Sequence, residues 1–244
     1  MLSKSQIKLI TSLKQKKFRA EYQLFVAEGP KTIRELLNSQ FVLHQLYSIT
    51  NEFVVSDDLT TIITPTELQK ISFLKTPNTA LAVFKIPEKR KIYQNGLIVA
   101  LDDVRDPGNL GTIIRLCDWF GVNELVCSLE TVDCYNPKVV QASMGSLSRV
   151  NISYESLSTF LTETSLPIYG TFMDGDSIYD HNLKSDGILL LGNEANGISE
   201  TLEQLVTSRI TIPRFGDLQQ TESLNVANAT AICLSEFKRR SIEK

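Results

Sequence analysis

The chain has 244 residues, 42% hydrophobic and 22% charged, a globular composition with length for one large or two smaller domains. No apolar run approaches the roughly 20 residues of a membrane span. Residues 1–17 are lysine-rich without the apolar core of a secretory signal, so a cytoplasmic protein with no membrane partner is expected. The net charge of −3 conceals two opposite halves: 13 Lys and Arg against 8 Asp and Glu in residues 1–90, and 12 against 20 in residues 91–244. A basic front half suits a polyanion such as nucleic acid; the bland account is a solvated lysine face.

In chain order, residues 3–16 suit a helix with Ile7, Ile10 and Leu13 inward, and 24–26 a short strand. Gly29-Pro30 opens a helix through Leu37, because proline is favoured in a first turn. Residues 42–47 and 80–84 read as further strands, which makes a small mixed α/β unit. The polar, charged run Pro87-Glu88-Lys89-Arg90-Lys91 is the expected linker, dividing the chain into domains 1–90 and 91–244. Beyond it, strand candidates at 97–101, 124–127, 168–171, 188–191 and 210–212 alternate with helix candidates at 110–120, 138–145, 156–162, 200–206 and 224–239. Short continuous apolar strands between helices predict a largely parallel sheet covered on both faces, with ligands at the carboxyl ends of the strands.

Cys117, Cys127, Cys134 and Cys233 form no C-x-x-C pair, and His44 and His181 are the only histidines, so free thiols and no metal site are expected.

Three segments follow predicted strand ends. The first is Asp106-Pro107-Gly108-Asn109-Leu110-Gly111-Thr112-Ile113-Ile114-Arg115, with Asn109 a candidate N-cap. Arg115 points roughly 140° away from the apolar stripe of Leu110, Ile113, Ile114 and Cys117, free to face a site or simply solvent. The second is Leu191-Gly192-Asn193-Glu194-Ala195-Asn196-Gly197, in which two glycines let backbone approach a ligand or merely turn the chain. The third runs from Ile212-Pro213 to Glu222-Ser223-Leu224-Asn225-Val226. There Ser223 could cap the last helix, while Asn225 and Asn228 want partners of their own. None of these is a phosphate loop or a dinucleotide fingerprint, which counts against a metabolic nucleotide enzyme.

Together the three segments resemble, in order and spacing, the signature motifs of the SpoU (TrmH-like) branch of the SPOUT RNA methyltransferases. The resemblance covers residues 92–244. The stretch Phe25-Val26-Ala27-Glu28-Gly29-Pro30 is more loosely similar to the ribosomal-protein-like RNA-binding domain that precedes such catalytic domains. The resemblance implies an α/β parallel-sheet SPOUT fold with a C-terminal trefoil knot, preceded by a small α/β RNA-binding domain. It implies a homodimer that uses S-adenosylmethionine to methylate a ribose 2′-hydroxyl of RNA. Ribosomal RNA, from the large subunit in the family pattern, is favoured over transfer RNA; a non-catalytic RNA-binding relative is the alternative. By position, Thr171, Leu191, Gly192, Gly197, Ile212 and Leu224 would hold the cofactor, and Asn109, Arg115, Glu194, Ser223 and Asn225 form the polar catalytic set. Glu194 is expected chiefly to fix its loop by accepting backbone N–H groups, the other reading being a contact with Asn109 and Arg115. Lys8, Lys14, Lys16, Lys17 and Arg19, with Arg115, are the expected RNA contacts. Within the third segment, residues 217–221 depart from the family pattern, in which many relatives have a shorter loop.

Overall fold

The computed structural model describes residues 2–216 and 223–242. The long loop 217–221 and Glu222 lie outside the described residues.

The chain forms two compact units, residues 1–89 with 133–148, and residues 90–132 with 149–244. In the first, α1 (Lys4–Ser12) is shorter than the predicted helix 3–16, and a second helix, α2 (Lys16–Tyr22), follows that was not predicted. Ser3 and Gln6 close a capping box on α1. Gln15, extended at φ −97° and ψ 133°, then starts α2. Arg19 explains the break. Its Nη1 donates to the carbonyl oxygens of Leu13 and Lys14 at 2.9 and 3.0 Å, satisfying the chain where α1 ends. Its Nε and Nη2 donate to Asp133. Arg19 is therefore 2% exposed and committed. It is not part of the surface basic cluster, which consists of the exposed Lys8, Lys14, Lys16 and Lys17.

Four strands follow: β1 (Leu24–Glu28), β2 (Leu43–Ser48), β3 (Thr60–Ile62) and β4 (Ala80–Lys85), with α3 (Pro30–Leu37) and α4 (Pro65–Ile71) between them. They pair in the order β1-β4-β2-β3, antiparallel except for β2 with β3. Ile10, Leu13, Val26, Leu68, Leu81 and Val83 fill one core. Elsewhere in the unit, Phe25 meets Phe41, Phe84 and Tyr135, the last at 4.9 Å between ring centres. Tyr135 belongs to the later segment, so a single cut near residue 90 does not describe the compact units.

The second unit is a six-stranded, wholly parallel sheet. In chain order it comprises β5 (Leu97–Leu101), α5 (Pro107–Trp119) and β6 (Glu124–Cys127). Next comes α6 (Pro137–Ser143), which belongs to the first unit and packs on β1. Then follow β7 (Asn151–Tyr154), α7 (Leu157–Glu163), β8 (Ile168–Ser177), β9 (Gly187–Leu191), α8 (Glu200–Glu203), β10 (Ser208–Thr211) and α9 (Val226–Ile242). The strand order is β10-β8-β9-β5-β6-β7. β5, β6 and β9 are buried along their whole length, as expected where helices cover both faces. β7 lies at the edge, which is why its N-I-S-Y sequence carries little strand signal. From β5 the chain winds outward through β6 and β7 on one side, while β9 lies on the other. That reversal is a switch point, and its crevice opens at the carboxyl ends.

Candidate active site

β8 does not run straight. Its ladder with β10 passes from Gly170 opposite Arg209 to Asp176 opposite Ile210. Residues 171–175 are thus an excursion from the ladder at the strand's carboxyl half. Glycines flank it for steric reasons. A Cβ at Gly170 would stand 2.7 Å from the Val206 side chain, and one at Gly175 2.7 Å from the Ile210 backbone. Thr171 Oγ1 donates to the Leu190 carbonyl at 3.3 Å, tying the excursion to β9.

After Leu191 the chain closes on itself. Asn193 and Gly197 exchange backbone hydrogen bonds at 2.9 Å each way. Asn193 Oδ1 accepts from the Ala195 and Asn196 amides at 2.8 and 3.3 Å, an Asx turn. Its Nδ2 donates to the Asp103 carbonyl at 2.7 Å, and Asp102 Oδ2 accepts from the Ser199 amide at 2.8 Å. The loop after β5 thereby braces the loop after β9. Gly192 is required by contact: a Cβ there would lie 2.1 Å from the Gly197 carbonyl carbon. Gly197, at φ +68°, is required by conformation.

The helix starts supply the polar residues. Asp106, not Asn109, caps α5, accepting from the Asn109 amide at 2.8 Å. Asn225, not Ser223, accepts from the first amides of α9, Ala227 and Asn228, at 3.0 and 3.3 Å. Both side-chain amides then meet. Asn225 Nδ2 donates to Asn109 Oδ1 at 2.9 Å, and Asn109 Nδ2 donates to Glu194 Oε1 at 2.6 Å. The direction of each amide follows from this network, because Glu194 is acceptor-only when ionised. Glu194 thus contacts Asn109 across the site, in place of the expected bonds to its own loop.

These loops enclose a cavity of about 1100 Å³. Thr171, Leu191, Gly192, Glu194, Gly197, Ile212, Ser223 and Leu224 line it. Asn109 and Asn225 do not line it but join the wall through their bonds to Glu194 and to each other. Arg115 does not join them. It is exposed on α5 and, among the described residues, makes no side-chain hydrogen bond or ion pair. Sequence reading missed Asn193, whose Asx-turn chemistry was legible in G-N-E-A-N-G, and missed Phe172, Asp174 and Glu203, which also line the cavity. The last two carried no pattern that marks them.

The electrostatics are simple. Hydrogen bonding to Arg209 holds the Asp174 carboxyl below its ordinary range. Cys233 lines the cavity, but burial pushes its thiol up to about 12, so it stays protonated and is no nucleophile at neutral pH. All four cysteines are buried, and none of them is in a disulfide. Among the described residues, no group of three or more His, Cys, Asp or Glu could hold a metal ion, and no helix is long and apolar enough to cross a membrane.

Fold and site first define a class: a parallel α/β protein with a small-molecule cleft at the carboxyl ends of β8, β9 and β10. The profile of the SpoU rRNA Methylase family matches residues 96–235, and that of the MRM3-like substrate binding domain matches residues 4–82. The chain belongs to the SpoU rRNA methylase family. It is 30% identical over 235 residues to the 23S rRNA (guanosine(2553)-2'-O)-methyltransferase RlmP of Bacillus subtilis, covering 93% of each chain. It superposes on a TrmH-family structure from Porphyromonas gingivalis with a TM-score of 0.90 at 38% identity, covering 98% of this chain and 99% of that one. An AdoMet-bound rRNA methyltransferase from Sinorhizobium meliloti gives a TM-score of 0.88 at 29% identity, covering 98% and 96%.

Proposed function

We propose that this protein transfers a methyl group from S-adenosylmethionine to a ribose 2′-hydroxyl of ribosomal RNA, with the large-subunit RNA as substrate. The observation that carries the reading is the convergence of the second and third motif segments and the β8 excursion on one cavity, with the first motif tied to them through the Asn225, Asn109 and Glu194 chain. The residues present fit the cofactor. Ile212 and Leu224 offer apolar surface to an adenine, and Leu191 and Gly192 bring backbone close to the ligand space. The volume has room for an adenosine joined to a methionine and lies just above the range of about 300–1,000 Å³ usual for small-molecule clefts.

When bound, the cofactor's sulfonium supplies the methyl group and becomes neutral. The protein's own task is then to position a hydroxyl and ease the loss of its proton. Positioning alone can lower such a barrier by about 7–11 kcal/mol in ideal cases. A guanidinium keeps its proton in nearly all protein settings, so Arg115 is given no role as a base. Its exposed guanidinium is suited to hold an RNA phosphate and to stabilise charge developing on the 2′-oxygen, with the proton leaving to that phosphate or to water. Asn109 and Asn225 keep Glu194 and the third motif in fixed register, and Ser223 faces the ligand space. The first unit supplies RNA affinity through Lys8, Lys14, Lys16 and Lys17. A homodimer and a knotted C-terminal segment belong to the same reading.

The test is twofold. Calorimetry should detect uptake of S-adenosylmethionine by the purified protein. Mass-spectrometric mapping should then find one ribose methylation in ribosomal RNA that disappears with the gene. A site lost from transfer RNA instead would move the substrate, and no cofactor uptake would end the proposal.

A further inference from the structure

Arg209 lies on β10 at the point where the ladder with β8 breaks. It does not line the cavity, yet its three side-chain partners all do. The guanidinium carbon stands 3.6 Å from the centre of the Phe172 ring. Nη2 donates to Asp174 Oδ1 at 2.6 Å, and Nη1 donates to Glu203. Phe172 and Asp174 belong to the excursion of β8, and Glu203 closes α8. One planar group therefore stacks on the excursion, bonds it edge-on, and anchors it to a neighbouring helix. Segment 171–175 has left its ladder with β10 and needs such an anchor to keep one shape.

We propose that Arg209 is a positioning residue for cofactor binding: it holds the β8 excursion as a preformed wall of the S-adenosylmethionine cavity without touching the ligand. This rests on the function proposed above. The demand is geometric and specific to arginine. A lysine keeps the charge but has neither the flat face for Phe172 nor the fork that reaches Asp174 and Glu203 together. Without the clamp, ordering the wall is charged against cofactor binding, and the apparent affinity falls by the fraction of molecules with the wall in place. Turnover at saturating cofactor is then largely kept, because the polar chain of Asn225, Asn109 and Glu194 shares no contact with Arg209.

The experiment compares the full-length wild type with Arg209→Lys and Arg209→Ala. Calorimetry gives S-adenosylmethionine affinity, steady-state methyl transfer gives KM and kcat, and a thermal scan checks folding. The expected result is a cofactor Kd and KM raised about tenfold in Arg209→Ala and less in Arg209→Lys, with kcat within about twofold and an unchanged RNA KM. Should Arg209→Ala fail to fold, Arg209→Lys and Arg209→Gln carry the test, each with a raised cofactor KM. Folded variants with wild-type Kd and KM, or with kcat falling while KM stays constant, overturn the proposal. A wild type that takes up no S-adenosylmethionine would instead refute the function on which it rests.

Discussion

Asn225 performs two tasks with two atoms, and substitutions can separate them. Its Oδ1 caps α9, and its Nδ2 donates to Asn109. Asn225→Ala removes both. Loss of a side-chain cap costs about 1 kcal/mol, and loss of a solvent-exposed amide bond about 0.5 kcal/mol more. For a chain of this length each kcal/mol is about 2–4 °C, so the melting temperature should fall by about 3–6 °C. Asn225→Asp keeps an equally good cap, and its charge is favoured at a helix N-terminus, so stability should barely change. The polar chain cannot survive it. Asn109 has one donating and one accepting end, and Glu194 already requires the donor. With carboxylates on both sides, one of the two hydrogen bonds must break whichever way the amide is turned. Methyl transfer should therefore fall by about tenfold or more in both variants, a barrier increase of at least about 1.4 kcal/mol. A thermal scan and transfer of labelled methyl to ribosomal RNA read the two effects separately. An Asn225→Asp protein with wild-type turnover, or one that melts as early as Asn225→Ala, would refute the two-task reading.

Arg115→Lys keeps the charge and loses the fork, so turnover should collapse while calorimetric cofactor affinity stays near wild type; normal turnover removes Arg115 from the mechanism. Replacing Lys14, Lys16 and Lys17 by Gln should weaken RNA binding without changing cofactor uptake. Its salt dependence should flatten by roughly one unit of slope for each phosphate that is no longer neutralised. Arg19→Ala should behave differently, losing about 3–5 kcal/mol of stability because it leaves a carboxylate and two carbonyls without their partner; a stable variant defective only in RNA binding would contradict its structural assignment. Glu236 gives a pH prediction. Hydrogen bonds from Arg239, and after them from Arg240, hold its carboxyl down from 4.5 to about 2 against the opposing effect of burial. The stabilisation is therefore complete above the ordinary carboxylate range and lost as pH falls from about 4.5 to about 2. Glu236→Gln should lower the melting temperature at neutral pH and converge with wild type at the acid end. A constant gap between the two across the acid range would show that the ion pair does not titrate as described.

The parallel sheet was legible because β5, β6 and β9 are buried at every position, and only strands covered on both faces are written as such continuous apolar runs. The three motif segments were legible because their chemistry is local: glycines where backbone crowds, and polar residues at strand exits. What stayed hidden depends on partners distant in sequence. Arg19 reads as one more basic residue until Asp133 arrives 114 residues later. Tyr135 carries no sequence signal for its contact with the Phe25 ring, 110 residues earlier. The excursion at 171–175 was invisible because the sequence reading ends that strand at 171, and only the pairing with β10 shows that it resumes at Asp176. The caps of α5 and α9 were misplaced by two or three residues for a shared reason. Each helix start offers two capping side chains, Asp106 and Asn109 in one case and Ser223 and Asn225 in the other, and periodicity cannot rank them.

The misplaced caps carry the functional consequence. Since Asp106 takes the cap of α5, the Asn109 side chain is released to reach Glu194; were Asn109 the cap, it would be spent on its own helix. The same helix carries Arg115 six residues on, about 9 Å along the axis. α5 packs against α9, and the start of α9 is set by Asn225. A tilt of α5 that broke the Asn109–Asn225 hydrogen bond would therefore displace Arg115 as well. The arginine proposed to hold the RNA is thus referenced, through one rigid helix, to the loops proposed to hold the cofactor. Methyl transfer needs donor and acceptor aligned to within about an ångström. Mounting the RNA-side cation on the helix that also anchors the cofactor-side carboxylate gives that alignment from α5 itself, without calling on the loops to order around bound RNA.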